Sequence, residues 1–125
     1  MSTYPVARTG GSYKKEAMIK AEITRSKNNV PIRLPEERWI HITEEHNEMV
    51  GYYFEVLETV SDPEVIYQGG EGECIAIRHI EDKYIVVVYR ELGKEDGFIV
   101  TAFLTKRKKQ IERRKRLWPQ KQLSR

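Results

Sequence analysis

The stretch 84–116, YIVVVYRELGKEDGFIVTAFLTKRKKQIERRKR, decides how this chain reads. Tyr84–Arg90 has a nearly continuous apolar centre, and Gly97–Thr105 is a second apolar run. Leu92–Asp96 between them is charged and contains a glycine, so two antiparallel neighbours joined by a short turn are predicted. A strand with little polar alternation is buried on both faces, which places Tyr84–Arg90 centrally in its sheet. On the last strand, Phe98, Val100, Ala102 and Leu104 share one face, and Ile99, Thr101, Phe103 and Thr105 the other. Working upstream, Glu73–Ile80 and Glu64–Tyr67 read as further strands around the turn Gly69-Gly70-Glu71-Gly72. The result is a four-stranded antiparallel meander.

Residues 43–60, TEEHNEMVGYYFEVLETV, read as a helix. Thr43 is the expected N-cap, and Glu44, Glu45 and Glu48 complement the positive N-terminus. Met49, Tyr53, Val56, Leu57 and Val60 fall at helical spacing and form the core-facing stripe. Asp62-Pro63 ends it. Before it, Lys27-Asn28-Asn29 marks a turn, which allows a hairpin of 18–25 with 30–34. After the last strand, Lys106–Leu117 reads as a basic helix whose Leu104, Ile111 and Trp118, seven apart, dock by a narrow stripe. The expected fold class is α+β: a helix packed on a four-stranded antiparallel sheet, with a basic C-terminal helix. The expected organisation is a flexible segment 1–16, a domain 17–105, and a basic helix or tail 106–125.

Charge divides the chain. Residues 106–125 hold ten Lys and Arg against the single acid Glu112, while residues 1–105 hold twelve basic residues against eighteen acids. An acidic body with a basic tail points to an anionic partner, most often nucleic acid; the alternative is a tail that is solvated or folded onto the protein's own acids. The single Cys74 forms neither an intramolecular disulfide nor a zinc cluster, and reads as a small buried thiol. No apolar run approaches the ~20 residues that span a bilayer, and no signal-peptide core follows Met1. A cytoplasmic protein without membrane contact is expected. Walker, GxGxxG, HExxH and GxSxG motifs are absent, so no cofactor and no resident metal are expected.

Three constellations carry chemistry. Arg38-Trp39-Ile40-His41-Ile42-Thr43-Glu44-Glu45-His46 places two imidazoles and an arginine at a helix entry, and imidazole is the usual proton carrier near neutrality. The structural alternative is that His41 packs locally and His46 is solvated. Arg78, Tyr89, Arg90 and Thr101 are polar residues on otherwise apolar strands. An arginine there can hold a phosphate, or it can pair with Glu73 or Glu91 at the rim. His79 neighbours Arg78 and so points to the opposite face, and Arg78 is taken as the inward group. The third is the run Lys106, Arg107, Lys108, Lys109, Arg113, Arg114, Lys115 and Arg116, suited to phosphates. Trp118 and the nearby Tyr and Phe residues offer stacking surfaces for bases.

The order Arg38-Trp39-x-His41-Ile42-x-x-x-His46-x-Glu48-Met49, then Asp62-Pro63-Glu64-Val65-Ile66, then Gly97-Phe98-Ile99-Val100-Thr101-Ala102-Phe103 resembles the barnase–EndoU–colicin–RelE class of small ribonuclease folds, in its phage- and toxin-associated branch. The match spans about residues 38–105. Asn47 stands where related sequences often carry proline. The resemblance implies metal-independent RNA cleavage by attack of a 2′-hydroxyl on the adjacent phosphate, toxin-like or RNA-processing, with RNA as partner and an antitoxin as a further one. It maps the paired histidines to His41 and His46 and the strand threonine to Thr101. Arg78 or Arg90 would stabilise the phosphorane, and Arg38, Tyr89 and the basic run would bind nucleic acid. The alternatives are a non-catalytic RNA-binding module and a protein-interaction domain with a basic docking tail.

Overall fold

The computed structural model describes residues 22–120. The expected N-terminal segment 1–16 and the first part of the 18–25 strand lie outside them. The elements in chain order are β1 (Glu22–Arg25), β2 (Pro31–Leu34), α1 (Glu36–Glu45), a 3-10 turn (Asn47–Met49), α2 (Tyr53–Ser61), β3 (Val65–Gln68), β4 (Cys74–Ile80), β5 (Lys83–Glu91), β6 (Gly97–Thr105), α3 (Lys109–Glu112) and β7 (Arg116–Trp118). The class is α+β, as expected, but the sheet has seven strands, in the order β1-β2-β6-β5-β4-β3-β7. The predicted meander β3 to β6 is its centre. All pairs are antiparallel except β2 with β6, which meet in parallel at Arg33 and Phe98.

The predicted single helix 43–60 is instead two helices and a turn. Pro35 precedes α1 and Glu36 and Glu37 fill its first turn, so the helix starts seven residues earlier than Thr43. That start has its own signal, a proline followed by acids at the positive end. Thr43 is therefore not a cap; its hydroxyl donates back to the carbonyls of Ile40 and Trp39 inside the helix. Gly51, at φ +93°, supplies the left-handed residue that lets α2 leave at a new angle. The core stripe survives this break: Met49, Tyr53, Val56, Leu57 and Val60 are all buried.

The stripe packs on one face of the sheet, against Ile85, Val87, Ile99 and Ala102, together with Ile32, Leu34, Trp39 and Ile42. The Thr24 hydroxyl donates to the Leu57 carbonyl at 3.0 Å and ties β1 to α2. The turn after β1 reaches β7, with Lys27 Nζ 4.8 Å from the Trp118 ring centre, so the sheet curls around α2. At the opposite sheet face Ile75, Ile77 and Val86 form a second core, with Tyr84, Val88, Phe103 and Ile111 against it. Gly97 is fixed by crowding. A Cβ there would meet the Arg90 carbonyl oxygen and the Ile32 side chain.

The basic C-terminal helix is not formed. Only one turn, α3, appears; a longer helix would set Lys109 against Arg113 and stack like charges at one-turn spacing. The sheet also continues past residue 105, because β7 pairs with β3 through Ile66–Trp118 and Tyr67–Arg116. The chain from β6 to β7 must therefore pass β5, β4 and β3, about 19 Å at ~4.8 Å per strand, and Ile111 packs on the second core on the way. Leu104 and Trp118 join the helix-side core instead, so the heptad stripe is split between two faces. Trp118→Ala should lower the unfolding free energy by about 2 kcal/mol, since this half-buried ring holds an edge strand. Arg113→Glu with Arg114→Glu should leave it within about 0.5 kcal/mol; urea unfolding of the two variants checks both.

Candidate nucleic-acid interface

Strand β6 is the axis of the site, because α1 and the 3-10 turn both pack against it. His41, exposed on α1, lines a recess of about 350 Å³ with Arg33, Pro35, Glu37, Arg38, Phe98 and Ile99. Arg33 is fixed there by a two-point bond to Asp96, Nε to Oδ1 at 2.9 Å and Nη2 to Oδ2 at 3.1 Å. The bond to Arg33 holds the Asp96 carboxyl below its usual range and raises the Arg33 guanidinium. His46 caps the C-terminus of α1. Its ring lies 5.7 Å from the Phe103 ring at 33°, and Nδ1 is 3.6 Å from the Glu48 carboxylate. The imidazoles therefore flank opposite ends of the segment 98–103 and do not face each other. They belong to the body and C-terminal end of α1, not to a helix entry as expected.

Thr101 lies between them. It opposes Val88 on the second sheet face, and its hydroxyl oxygen is buried with no hydrogen-bond partner among the described residues. A buried hydroxyl without a partner costs about 1–3 kcal/mol and calls for an explanation. Arg90 follows Val88 on the same face. Its Nη1 donates to the Glu71 carbonyl at 3.1 Å, and its Nη2 lies 3.6 Å from the Glu71 and 3.8 Å from the Glu73 carboxylate. Glu73 stays readily ionised: the Glu71 amide and its own backbone hold its carboxyl below the usual range, and Arg90 and Arg114 add to this.

Two expected site residues lie elsewhere. Arg78 opposes Ile85 on the helix-side face, not the second face. There its Nη1 lies 3.1 Å from Glu58 and 4.0 Å from Asp62 at α2, a charge contact without an aligned hydrogen bond. His79, set aside in favour of Arg78, is the one on the second face, 5.0 Å from the Tyr84 ring. Tyr89 is buried in the helix-side core beside Cys74 and cannot reach nucleic acid. Burial, then the neighbouring Cys74 and Glu91, push its phenol far up. Cys74 is a half-buried thiol, pushed up by burial and by Glu91.

The basic run lines a second candidate surface. Lys106, Arg107, Lys108 and Lys109 rim a groove of about 800 Å³ floored by Tyr84, Phe103 and Ile111. Lys106 pairs with Asp82 at 3.5 Å and Lys108 with Glu112 at 3.4 Å. Arg113, Arg114 and Arg116 are exposed further along the crossing, with Lys115. Arg33, Glu48, Tyr84 and Phe103 were not singled out as site residues from sequence. Only the aromatic strand positions 84 and 103 carried a signal, since both belong to apolar runs next to polar partners.

The family model described as phage-Barnase-EndoU-ColicinE5/D-RelE like nuclease2 matches residues 10–119. The chain belongs to that family. Comparisons with curated proteins and with solved structures gave no match. The family is nuclease-like, so the coarse activity is that of a nuclease with nucleic acid as substrate. No helix among the described residues is long and apolar enough to cross a membrane. Among the same residues, no group of three or more His, Cys, Asp or Glu side chains is placed to hold a metal ion. Thr101→Val, which removes the unpaired hydroxyl and keeps the shape, should raise the unfolding free energy by about 1 kcal/mol. Thermal unfolding beside a nuclease assay should show stability gained and cleavage lost.

Proposed function

We propose that this chain is a metal-independent endoribonuclease in which a 2′-hydroxyl of RNA attacks the adjacent phosphate. The observation that carries the reading is the unpaired Thr101 hydroxyl, in the β6 segment that His41 and His46 flank. A phosphate laid along that segment receives a hydrogen bond from Thr101 once the side chains that cover the hydroxyl move aside. His46, oriented by Glu48 and Phe103, is the leading proton carrier. His41, with Arg33 and Arg38, serves the other end of the segment as the second proton carrier. Arg90 supplies positive charge to the phosphorane once it exchanges the Glu71 and Glu73 carboxylates for the phosphate. Arg78, committed to α2, acts as a structural residue in this scheme. The toxin-like form of the reading adds an acidic protein antitoxin that covers the same cations.

A non-catalytic RNA-binding module is favoured by one observation. Both sheet arginines, Arg78 and Arg90, are already paired with carboxylates. Purified protein with total RNA in EDTA separates the readings. Cleavage that leaves 2′,3′-cyclic phosphate ends supports the nuclease. Salt-dependent binding without cleavage supports the module, and activity restored only by added Mg²⁺ or Zn²⁺ contradicts metal independence.

His46→Ala should lower cleavage about 10²–10⁴-fold with nearly unchanged RNA affinity. Wild-type cleavage by a folded His46→Ala protein would make the imidazole structural. Separately, Arg107→Glu with Lys109→Glu should weaken binding across sequences and reduce the salt slope by about 1 per lost phosphate contact. An unchanged slope would remove the groove rim from the interface.

A further inference from the structure

We infer that Tyr84 and Phe103 form a stacking platform for unpaired bases, so that the ligand of this surface is single-stranded nucleic acid and not a duplex. The inference rests on the nucleic-acid reading above, but not on which residues carry protons. Tyr84 opposes Thr105 and Val86 opposes Phe103 across the β5–β6 pair, so the two rings share the second face in diagonal positions. Such neighbours stand about 7–8 Å apart, within reach of aromatic side chains. Both rings back onto the second core and line the groove.

Each ring is already partnered by a group of the kind that a base resembles or attracts. Lys108 Nζ sits 4.4 Å from the Tyr84 ring centre, and the His79 imidazole lies 5.0 Å from the same ring. The His46 imidazole lies tilted by 33° against Phe103. A nucleobase is a flat π system of the same kind, and stacking on an aromatic face tolerates any base. The Lys108 stem is flexible, and among the described residues its ammonium is held beyond the ring by Glu112. It can leave the Tyr84 face for a phosphate when a base enters. The rim cations then follow the backbone while the floor takes the bases. A duplex offers this floor nothing, because its base faces are stacked internally and the A-form major groove is too narrow for side chains.

The test uses the full chain and a 2′-O-methyl RNA ten-mer, which lacks the attacking hydroxyl and so reports binding alone. Wild-type protein should bind the single strand at least about 10-fold more tightly than the same strand annealed to its complement. It should also quench a 2-aminopurine placed mid-strand. Tyr84→Leu and Phe103→Leu keep apolar bulk but remove the ring, and each should weaken binding about 10-fold with an unchanged salt slope. Lys108→Ala should keep the quench and lower the slope. Equal affinity for single strand and duplex, no quench by the wild type, or wild-type binding by both folded leucine variants would overturn the platform. If the leucine variants do not fold, the wild-type quench and strand preference decide. Cleavage of unmodified RNA by a protein that shows no platform would leave the nuclease reading standing, and a platform without cleavage would leave only the binding module.

Discussion

Strand β5 is apolar on both faces, and both must be covered. Val87 and Ile85 point to one side and Val86 to the other, and all are fully buried. Each such side chain contributes about 1.5–3 kcal/mol when removed from water. The 3-10 turn and α2 cover one face. No apolar element remains in the described chain for the other, so the basic segment after β6 crosses it and seals it with Ile111. The placement of the cations follows from that burial. Lys106–Lys109 rim a groove on the sheet because the same segment has to cover Val86 and reach the β3 edge.

The interface also shows how an acidic body accommodates a basic segment. Asp82 of the body pairs with Lys106, the segment's own Glu112 pairs with Lys108, and Glu71 and Glu73 pair with Arg90 on the neighbouring sheet face. These pairs are partly exposed and contribute little to stability. A phosphate-bearing ligand can therefore exchange with them at low cost. Arg33 differs, since Asp96 engages it at two points and fixes it beside His41. The site thus combines the fixed charge of Arg33 with the exchangeable charges of Arg90 and the groove rim.

Local pattern was enough for much of the fold. Apolar runs bounded by glycine and charge turns gave β3 to β6 within a residue or two, because antiparallel neighbours joined by short turns need only local information. The stripe Met49, Tyr53, Val56, Leu57 and Val60 was equally legible, and it stayed buried although the helix carrying it was broken at Gly51. The start of α1 was readable from Pro35-Glu36-Glu37 but was hidden by the stronger resemblance of Thr43-Glu44-Glu45 to a cap. The two-sided burial of β5 was readable too.

Sequence by itself determined that a central antiparallel sheet would be covered by an apolar helical stripe and that cations would gather after β6. Only the tertiary structure decided which faces the polar strand residues share. Period-2 alternation says that Arg78 and His79 point oppositely, but not which face the helices take. Packing of α2 gave Arg78 to the helix side and His79 to the other. Tyr89 and Thr101 were equivalent polar interruptions in sequence. Pairing of Thr101 with Val88, the neighbour of Tyr89 on β5, puts them on opposite faces, one sealed in the core and one left without a hydroxyl partner among the described residues. The basic run had helical spacing for its few apolar residues, yet the free edge of β3 offered Arg116 and Trp118 backbone partners, and the core beside it took Leu117 and Trp118. That gain, together with like-charge repulsion along a would-be helix, turned a tail into a strap across the sheet.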